Sequence, residues 1–252
     1  MRPEAMRLCH LWVQRQTLSK NREYQKDQVQ WLVLDDTPEG GQTHDPFMGM
    51  SHVIKPEPSW EPGQNTQGRN LLAGLEKCKG EFIAIIEDDD WYAPDYLEKM
   101  LEIMESYKAL VIGEAGAIFY NVRERSYQRY RNQSHAGLCQ TIFRRSLIPL
   151  LVQAIHTAAT LPKTAHVSNW WLDVGFWNLI HKDVGKQHVF LFPEAMWCVG
   201  IKGMPGREGI GTGHSIEKEK GWVSDPQSVK LQQLIGADSR HYEKFYKELS
   251  NA

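Results

Sequence analysis

Residues 80–95 read GEFIAIIEDDDWYAPD. Residues 81–86 are apolar after an opening glutamate, and four acids follow without a break: Glu87, Asp88, Asp89 and Asp90. A strand buried on both faces reads this way, because covering helices remove the in-and-out alternation of a half-exposed strand. Adjacent carboxylates repel one another, and folding does not require four of them at a strand end. One or two ahead of Pro94 would suit the start of a helix; four exceed that need. The stretch therefore predicts a buried strand that delivers a site for a cation, or for the cationic part of a ligand.

Outward from the acids the chain alternates. Upstream, Leu71, Leu72, Leu75 and Cys78 mark a helix that closes at Lys79 and Gly80. Before it lies a polar stretch rich in glycine and proline, with VIKP (53–56) as a short strand. QWLVLDD (30–36) is another apolar run ending in acids, Asp35 and Asp36. Leu8, Leu11 and Trp12 place an amphipathic helix over 3–16, with Pro3 in its first turn. Downstream, Pro94 and Asp95 open a helix whose core face is Leu97, Met100, Leu101 and Met104. Helix, strand, helix, strand, helix implies an α/β fold around a parallel sheet. Ligands in such sheets collect at the carboxyl ends of strands, where both acidic groups fall.

The second half is less regular. Residues 109–122 and 138–145 read as strands or strand–helix junctions, 168–181 as a helix, and 188–201 as a strand and its exit. Residues 200–214 hold six glycines and read as loop. Tyr242, Phe245, Tyr246 and Leu249 predict a closing helix.

Bulk properties narrow the class. The 252 residues are 41% hydrophobic and 24% charged, ordinary for a soluble globular protein. A net charge of −2 and a pI near 6.6 supply no global attraction for nucleic acid or anionic membrane. Cys9, Cys78, Cys139 and Cys198 are scattered, which fits neither a zinc knuckle nor a disulfide framework and suits a reducing cytosol. No run approaches the roughly 20 apolar residues of a membrane span. The N-terminal residues are too charged for a signal peptide. The expectation is a cytoplasmic protein of one domain, 1–252, with no membrane partner and an unassigned oligomeric state. That domain would divide at about residue 108 into a regular first half, about 1–108, and a less regular second half, about 109–252.

The acids are not an EF-hand, since a loop begun at Asp88 would meet Ala93 and Lys99 where glycine and glutamate are required. No P-loop motif occurs in the sequence. Hard oxygen donors select Mg²⁺ or Mn²⁺, ions that combine one or two carboxylates with a substrate's phosphates.

EDDDWYAPDYLEKM (87–100), preceded by GRNLLAGLEKCKGEF (68–82) and WLVLDD (31–36), resembles the nucleotide-binding half of family 2 glycosyltransferases. That resemblance spans residues 2–105 and continues more weakly to about 214. It implies a GT-A fold, a Rossmann-like mixed but mainly parallel sheet with helices on both faces. It also implies a D-x-D-type metal site and a nucleotide-sugar donor, a UDP-sugar first among them. By position, Asp89 would ligate the metal, and Glu87 and Asp90 would complete the cluster. Asp88 would meet ribose or diphosphate, Asp36 with Asp35 the base or ribose, and Arg69 the base or diphosphate. An alternative use of Arg69 is an ion pair with Glu76 or a strand-end acid. The family usually begins with an apolar strand before the first helix; here that helix starts at once, so either the strand is missing from this chain or something else fills its place.

Glycosyl transfer also needs a base for the acceptor hydroxyl. Asp173 is the sole ionisable residue in NWWLDVGFWNLI (169–180), and apolar surroundings raise a carboxyl's pKa; the alternative is a first-turn aspartate facing the helix dipole. The resemblance places an acidic base in this region. His214 resembles a late metal ligand of GT-A enzymes, and Lys202 and Arg207 would neutralise diphosphate from the same glycine-rich loop. Residues 120–145 carry six arginines against one glutamate, among them Arg129 and Arg131, interleaved with Tyr120, Tyr127 and Tyr130. With Trp171 they suggest an acceptor face for a saccharide. A second acceptor is modified DNA, since the build also resembles bacteriophage glycosyltransferases, some of which sugar-modify hydroxymethylated bases; the cytoplasm would then be the host's. The rival readings are a nucleotidyl- or phosphotransferase and a non-catalytic nucleic-acid-binding module.

Overall fold

The structure, a computed structural model, describes residues 2–17, 29–38, 51–59, 61, 65–160, 172–194, 197–206 and 220–246. The first elements are α1 (Pro3–Gln14), β1 (Trp31–Leu34), β2 (Ser51–Ile54) and α2 (Gln67–Leu75). Next come β3 (Phe82–Ala84), β4 (Trp91–Tyr92), α3 (Tyr96–Ser106), β5 (Val111–Glu114), β6 (Ile118–Asn121) and β7 (Ser126–Arg129). They are followed by β8 (Thr141–Arg144), α4 (Ile148–Thr160), α5 (Leu172–Asp183) and β9 (Val189–Phe192). The last are β10 (Cys198–Lys202), β11 (Val223–Ser224) and α6 (Val229–Ile235).

These strands form a β1–β2 pair, a four-stranded sheet ordered β3-β8-β5-β9, and a five-stranded sheet ordered β11-β7-β6-β10-β4. The sheet system is mixed, as expected, but it is not mainly parallel. Of the eight pairings among described residues, β1–β2, β10–β6 and β5–β9 are parallel and the other five antiparallel. Two local choices account for the difference. The segment 118–129 folds as a hairpin rather than a crossover, with Arg125 taking a positive φ of 44° at its turn. Strand β8 then inserts between β3 and β5, antiparallel to both.

Strands β3, β5 and β9 consequently point the same way and end on one edge. Alternate residues of β5 and β8 face opposite cores, Ile112 and Ile142 on one side, Val111 and Phe143 on the other. Helices α1 and α3 cover the first side with Leu8, Trp12, Tyr96, Met100 and Met104. Helices α2, α4 and α5 cover the second with Leu75, Leu151, Phe176, Trp177 and Ile180. The buried residues of α1 are at 5, 8, 9, 12 and 13, a stripe that includes Leu8 and Trp12 of the predicted face, while Leu11 is partly buried. Trp12, Met100 and Met104 are fully buried, each worth about 1.5–3 kcal/mol of apolar transfer. Gln16 ties the end of α1 to the start of α3, donating to the carbonyls of Trp12 and Ala93 and accepting from the amide of Leu97.

Helix α4 carries no element in the sequence reading, although its buried residues Leu151, Ala154 and Ile155 fall at helical spacing. The predicted closing helix is, over the described residues, a pair of short 3₁₀ turns at Gly236–His241 and Glu243–Phe245, with Tyr242 buried between them. No strand precedes α1 among the described residues, and none joins β1 to β3 there. No described helix is long and apolar enough to cross a membrane.

The edge where β5 ends is tightly closed at Gly116. A Cβ there would strike the carbonyl oxygen of Pro193 and lie 2.7 Å from the Cα of Glu194. Backbone obstacles of this kind do not rotate away. Gly116→Ala is expected to lower unfolding free energy by about 2–3 kcal/mol in urea titration; an unchanged midpoint would refute this packing.

Candidate active site

The four acids occupy the crossing between the two larger sheets. Strand β3 delivers the chain to Glu87, and two residues after Asp89 the chain enters β4 of the other sheet. The turn is held by its own backbone, Asp90 N–H to the Glu87 carbonyl, and by the Glu87 amide donating to the Tyr92 hydroxyl. Asp89 and Asp90 are buried at 4% and 1% exposure, so their charges face little water.

Among the described residues, two cations enter this turn from distant parts of the chain. The Arg2 guanidinium donates 2.6 Å bonds from separate nitrogens to Asp88 Oδ1 and Asp89 Oδ2. The Lys202 ammonium lies 3.1 Å from Asp90 Oδ1, 3.7 Å from Asp89 Oδ2 and 4.0 Å from Glu87 Oε2. The Ile201 amide also donates to Asp90 Oδ1, which fastens that carboxylate to β10. Burial pushes Glu87 up to about 8, helped by the neighbouring charge of Asp90. Burial raises Asp88 and Asp90 as well. It opposes the charge of Lys202, yet Asp89, Asp90 and Glu87 outweigh it and hold the ammonium well above its ordinary value.

One oxygen each from Glu87, Asp89 and Asp90 falls within 4.8 Å of the others, so these residues are able to hold a divalent ion. Their hard donors fit Mg²⁺ or Mn²⁺. Asp88 is outside that group. A second cluster, Asp90 with Cys139 and Cys198, meets the same spacing. Both thiols are buried; burial pushes Cys198 up to about 12, and its hydrogen bond with Cys139 and then burial raise Cys139 well above the ordinary thiol value. Protonated thiols are poor ligands.

Around this turn the other predicted donor residues are arranged by α2. Asp36 Oδ2 accepts from the Thr66 hydroxyl and, at 2.9 Å, from Asn70 Nδ2, so the end of β1 is fixed to the first turn of α2. Asp35 bonds Lys55 Nζ at 2.7 Å and the Thr37 amide; these outweigh its burial and hold it below the usual carboxylate range. Gln67 reaches Glu87 Oε1 at 3.1 Å. Between Gln67 and Asn70, the Nε and Nη2 atoms of Arg69 are buried with no hydrogen-bond partner among the described residues. No ion pair to Glu76 or to a strand-end acid forms among the described residues.

Asp173 stands in the first turn of α5, its Oδ1 accepting from the Val174 amide at 2.8 Å. Burial raises its pKa, and a His135 charge pulls the other way. A side chain at Gly68 would meet Leu172 at 3.9 Å, so the neighbour of Asp173 packs against the neighbour of Arg69.

The basic stretch 120–145 does not form one surface. Tyr120 is buried and donates to Asp225, while Arg144 pairs with Glu81 and Glu105 at the opposite edge of the four-stranded sheet. Tyr130 donates to Gln128 and packs on Phe119. Arg129 and Arg131, with Asn132, Gln133 and Phe192, line an open cavity of about 390 Å³ where β5 and β9 end, on the edge that carries the acids. Arg129 pairs with Glu194 across it at 3.1 Å.

Lys202 is not a loop residue as expected: it ends strand β10 and its side chain is buried. Arg207, His214 and Trp171 lie outside the described residues. Sequence reasoning missed Arg2, whose partners are more than eighty positions away, and Glu114, which accepts the amides of Trp197 and Cys198. Neither carries a local signal.

Residues 60–163 match the family profile described as Glycosyl transferase family 2. Over 58 residues the chain is 43% identical to a putative glycosyltransferase, EpsH, of Bacillus subtilis (strain 168), covering 22% of this chain and 17% of that relative. It is also similar to TarS 1–349 of S. aureus in complex with UDP-GlcNAc, with a TM-score of 0.44 and 13% identity over 80% of this chain and 56% of that one. The same fragment in complex with UDP gives 0.42 and 12%, over 77% and 57%. The chain thus spans less than two thirds of the length of each of these relatives. The matched residues 60–163 include α2, the acidic turn and α3, so the family named by the sequence resemblance is the one whose profile this segment matches, and the sheets are mixed with helices on both faces. The resemblance drawn from the sequence is borne out.

Removing the ammonium while leaving its carboxylates strands buried charge. Lys202→Met is expected to cost about 3–5 kcal/mol in chemical denaturation. A loss under half that would mean the acids do not depend on Lys202.

Proposed function

We propose that the protein is a metal-dependent, inverting glycosyltransferase that moves a sugar from a nucleoside diphosphate to an acceptor hydroxyl. The observation that carries this reading is the convergence of Glu87, Asp89 and Asp90 at a sheet crossing inside the family 2 segment. When bound there, Mg²⁺ or Mn²⁺ would supply Lewis-acid stabilisation of the departing diphosphate. Asp36 and Asp35 would hold base or ribose, and Asp88 ribose or diphosphate. The buried, unpartnered nitrogens of Arg69 suit a diphosphate oxygen, since leaving them without an acceptor is costly. Lys202 balances the acids, so that an anionic donor meets less repulsion; Arg207 and His214 would add a cation and a metal ligand.

Asp173 would take the proton of the acceptor hydroxyl. Its raised pKa makes the carboxylate a stronger base, and a single base attacking opposite the leaving group inverts the anomeric carbon. The acceptor would enter the cavity bounded by Arg129 and Arg131, with Tyr130 and Trp171 as stacking residues. The division of the basic stretch into separate surfaces favours a saccharide over a hydroxymethylated pyrimidine in DNA. A donor panel led by UDP-sugars, with Mn²⁺ and with saccharide, plain DNA and hydroxymethylated DNA as acceptors, tests this by mass spectrometry. Release of nucleoside diphosphate with a glycosylated product is expected; release of pyrophosphate would make the protein a nucleotidyltransferase.

Asp173→Asn should abolish transfer while donor still binds with affinity within about threefold. The acid limb of the wild-type kcat/KM profile should lie above the ordinary aspartate value of about 4, because activity is lost as falling pH protonates the base at its raised pKa. Full turnover by the variant would remove Asp173 from the mechanism. Arg69→Ala should raise donor KM by about tenfold or more, the scale of losing a charge-assisted hydrogen bond. An unchanged donor KM would place Arg69 outside the donor site.

A further inference from the structure

Among the described residues the acidic turn is matched by two cations that differ in how they are held. Lys202 is buried on a strand, against the Phe119 ring at 5.4 Å, with three carboxylates around it. Arg2 is at the entrance of α1, and its side chain keeps 21% of its exposure while that of Asp89 keeps 3%. The Arg2 backbone is independently fixed, since its carbonyl accepts the Met6 amide at 2.9 Å and Pro3 opens the helix. Its guanidinium can therefore leave the acids for solvent by side-chain rotation alone, without unwinding α1.

We propose that Arg2 is an exchangeable counter-cation of the acidic turn: its guanidinium holds Asp88 and Asp89 until a divalent ion takes Asp89, and the two do not bind together. The inference rests on the metal reading given under the proposed function. Asp89 Oδ2 already has Arg2 at 2.6 Å and Lys202 at 3.7 Å. A third cation at that carboxylate would add strong repulsion in a dry site. Lys202 is buried at the end of β10 while the Arg2 side chain keeps 21% of its exposure, so the cation that yields is Arg2. A guanidinium that bridges two carboxylates with separate nitrogens also fixes their spacing, which lysine cannot do. Arg2 thereby keeps Asp88 and Asp89 from being driven apart while no metal is present, and it sets the affinity that an incoming ion must exceed.

The test is Mn²⁺ binding to the full chain without donor, by calorimetry or by the free-Mn²⁺ electron paramagnetic resonance signal. Arg2→Ala should bind Mn²⁺ about tenfold more tightly than wild type, within the usual range of coupling between competing sites, with Arg2→Lys between them. Asp89→Asn reports the site itself. Should Arg2→Ala fail to fold, the wild type still decides. Saturating Mg²⁺ should move the Arg2 Nε–H resonance to the position of a solvent-exposed arginine. Equal Mn²⁺ affinity in wild type and Arg2→Ala, or an Arg2 resonance unmoved at saturation, overturns the exchange and leaves the metal site standing. Absence of Mn²⁺ binding in every variant overturns both.

Discussion

Everything in this molecule is arranged around one electrostatic constraint: four consecutive carboxylates must be kept in a turn that is largely shielded from water. Ionised groups in such a place repel one another and lose their hydration. The protein relieves this in two ways. It brings in Arg2 and Lys202 as partners, and it lets part of the charge disappear, Glu87 being pushed up to about 8 by burial and by Asp90. The remaining negative charge is what a divalent ion with a diphosphate would meet.

The sheet crossing explains why the acids are there at all. A turn between two sheets has backbone groups that neither ladder satisfies, and here side chains and the Tyr92 hydroxyl take that part. The same crossing opens an edge on which β3, β5 and β9 all end. A donor held at the acids and an acceptor entering near Arg131 would share that edge. Leu172, the first residue of α5 and the neighbour of Asp173, lies beside Gly68 of α2.

Much of this was legible in the sequence because the signals are local. The apolar run before Glu87, the stripes of α1 and α3, the paired acids after β1 and the lone carboxyl in an apolar helix each occupy a few adjacent residues. What stayed hidden depends on pairing across distance. Nothing near Arg2 announces Asp88 and Asp89. The antiparallel insertion of β8 has no local sign, and no turn motif in YNVRERSYQR advertises the 118–129 hairpin, since Arg125 itself takes the positive φ that glycine or asparagine usually supplies. Lys202 was misplaced for an instructive reason. Gly200 and Gly203 read as loop, but Gly200 is within a strand, where a Cβ would run into the Phe119 ring.

That glycine is part of how the site is built. Strand β10 pairs with β4 through Cys198↔Tyr92 and Val199↔Trp91, and with β6 through Gly200↔Phe119, Ile201↔Tyr120 and Lys202↔Asn121. Side chains alternate along a strand, so a slip of one residue would turn Lys202 away from the acids and present Ile201 to them. The absence of a Cβ at Gly200 lets Phe119 lie against β10 in the existing register, and that ring then lies under the Lys202 ammonium. The Ile201 amide, directed at Asp90 Oδ1, is available only in the same register. Strand pairing and charge compensation are therefore one requirement. The register that satisfies the backbone is the register that neutralises the turn, which is why a buried lysine, costly anywhere else, is stable at the end of β10.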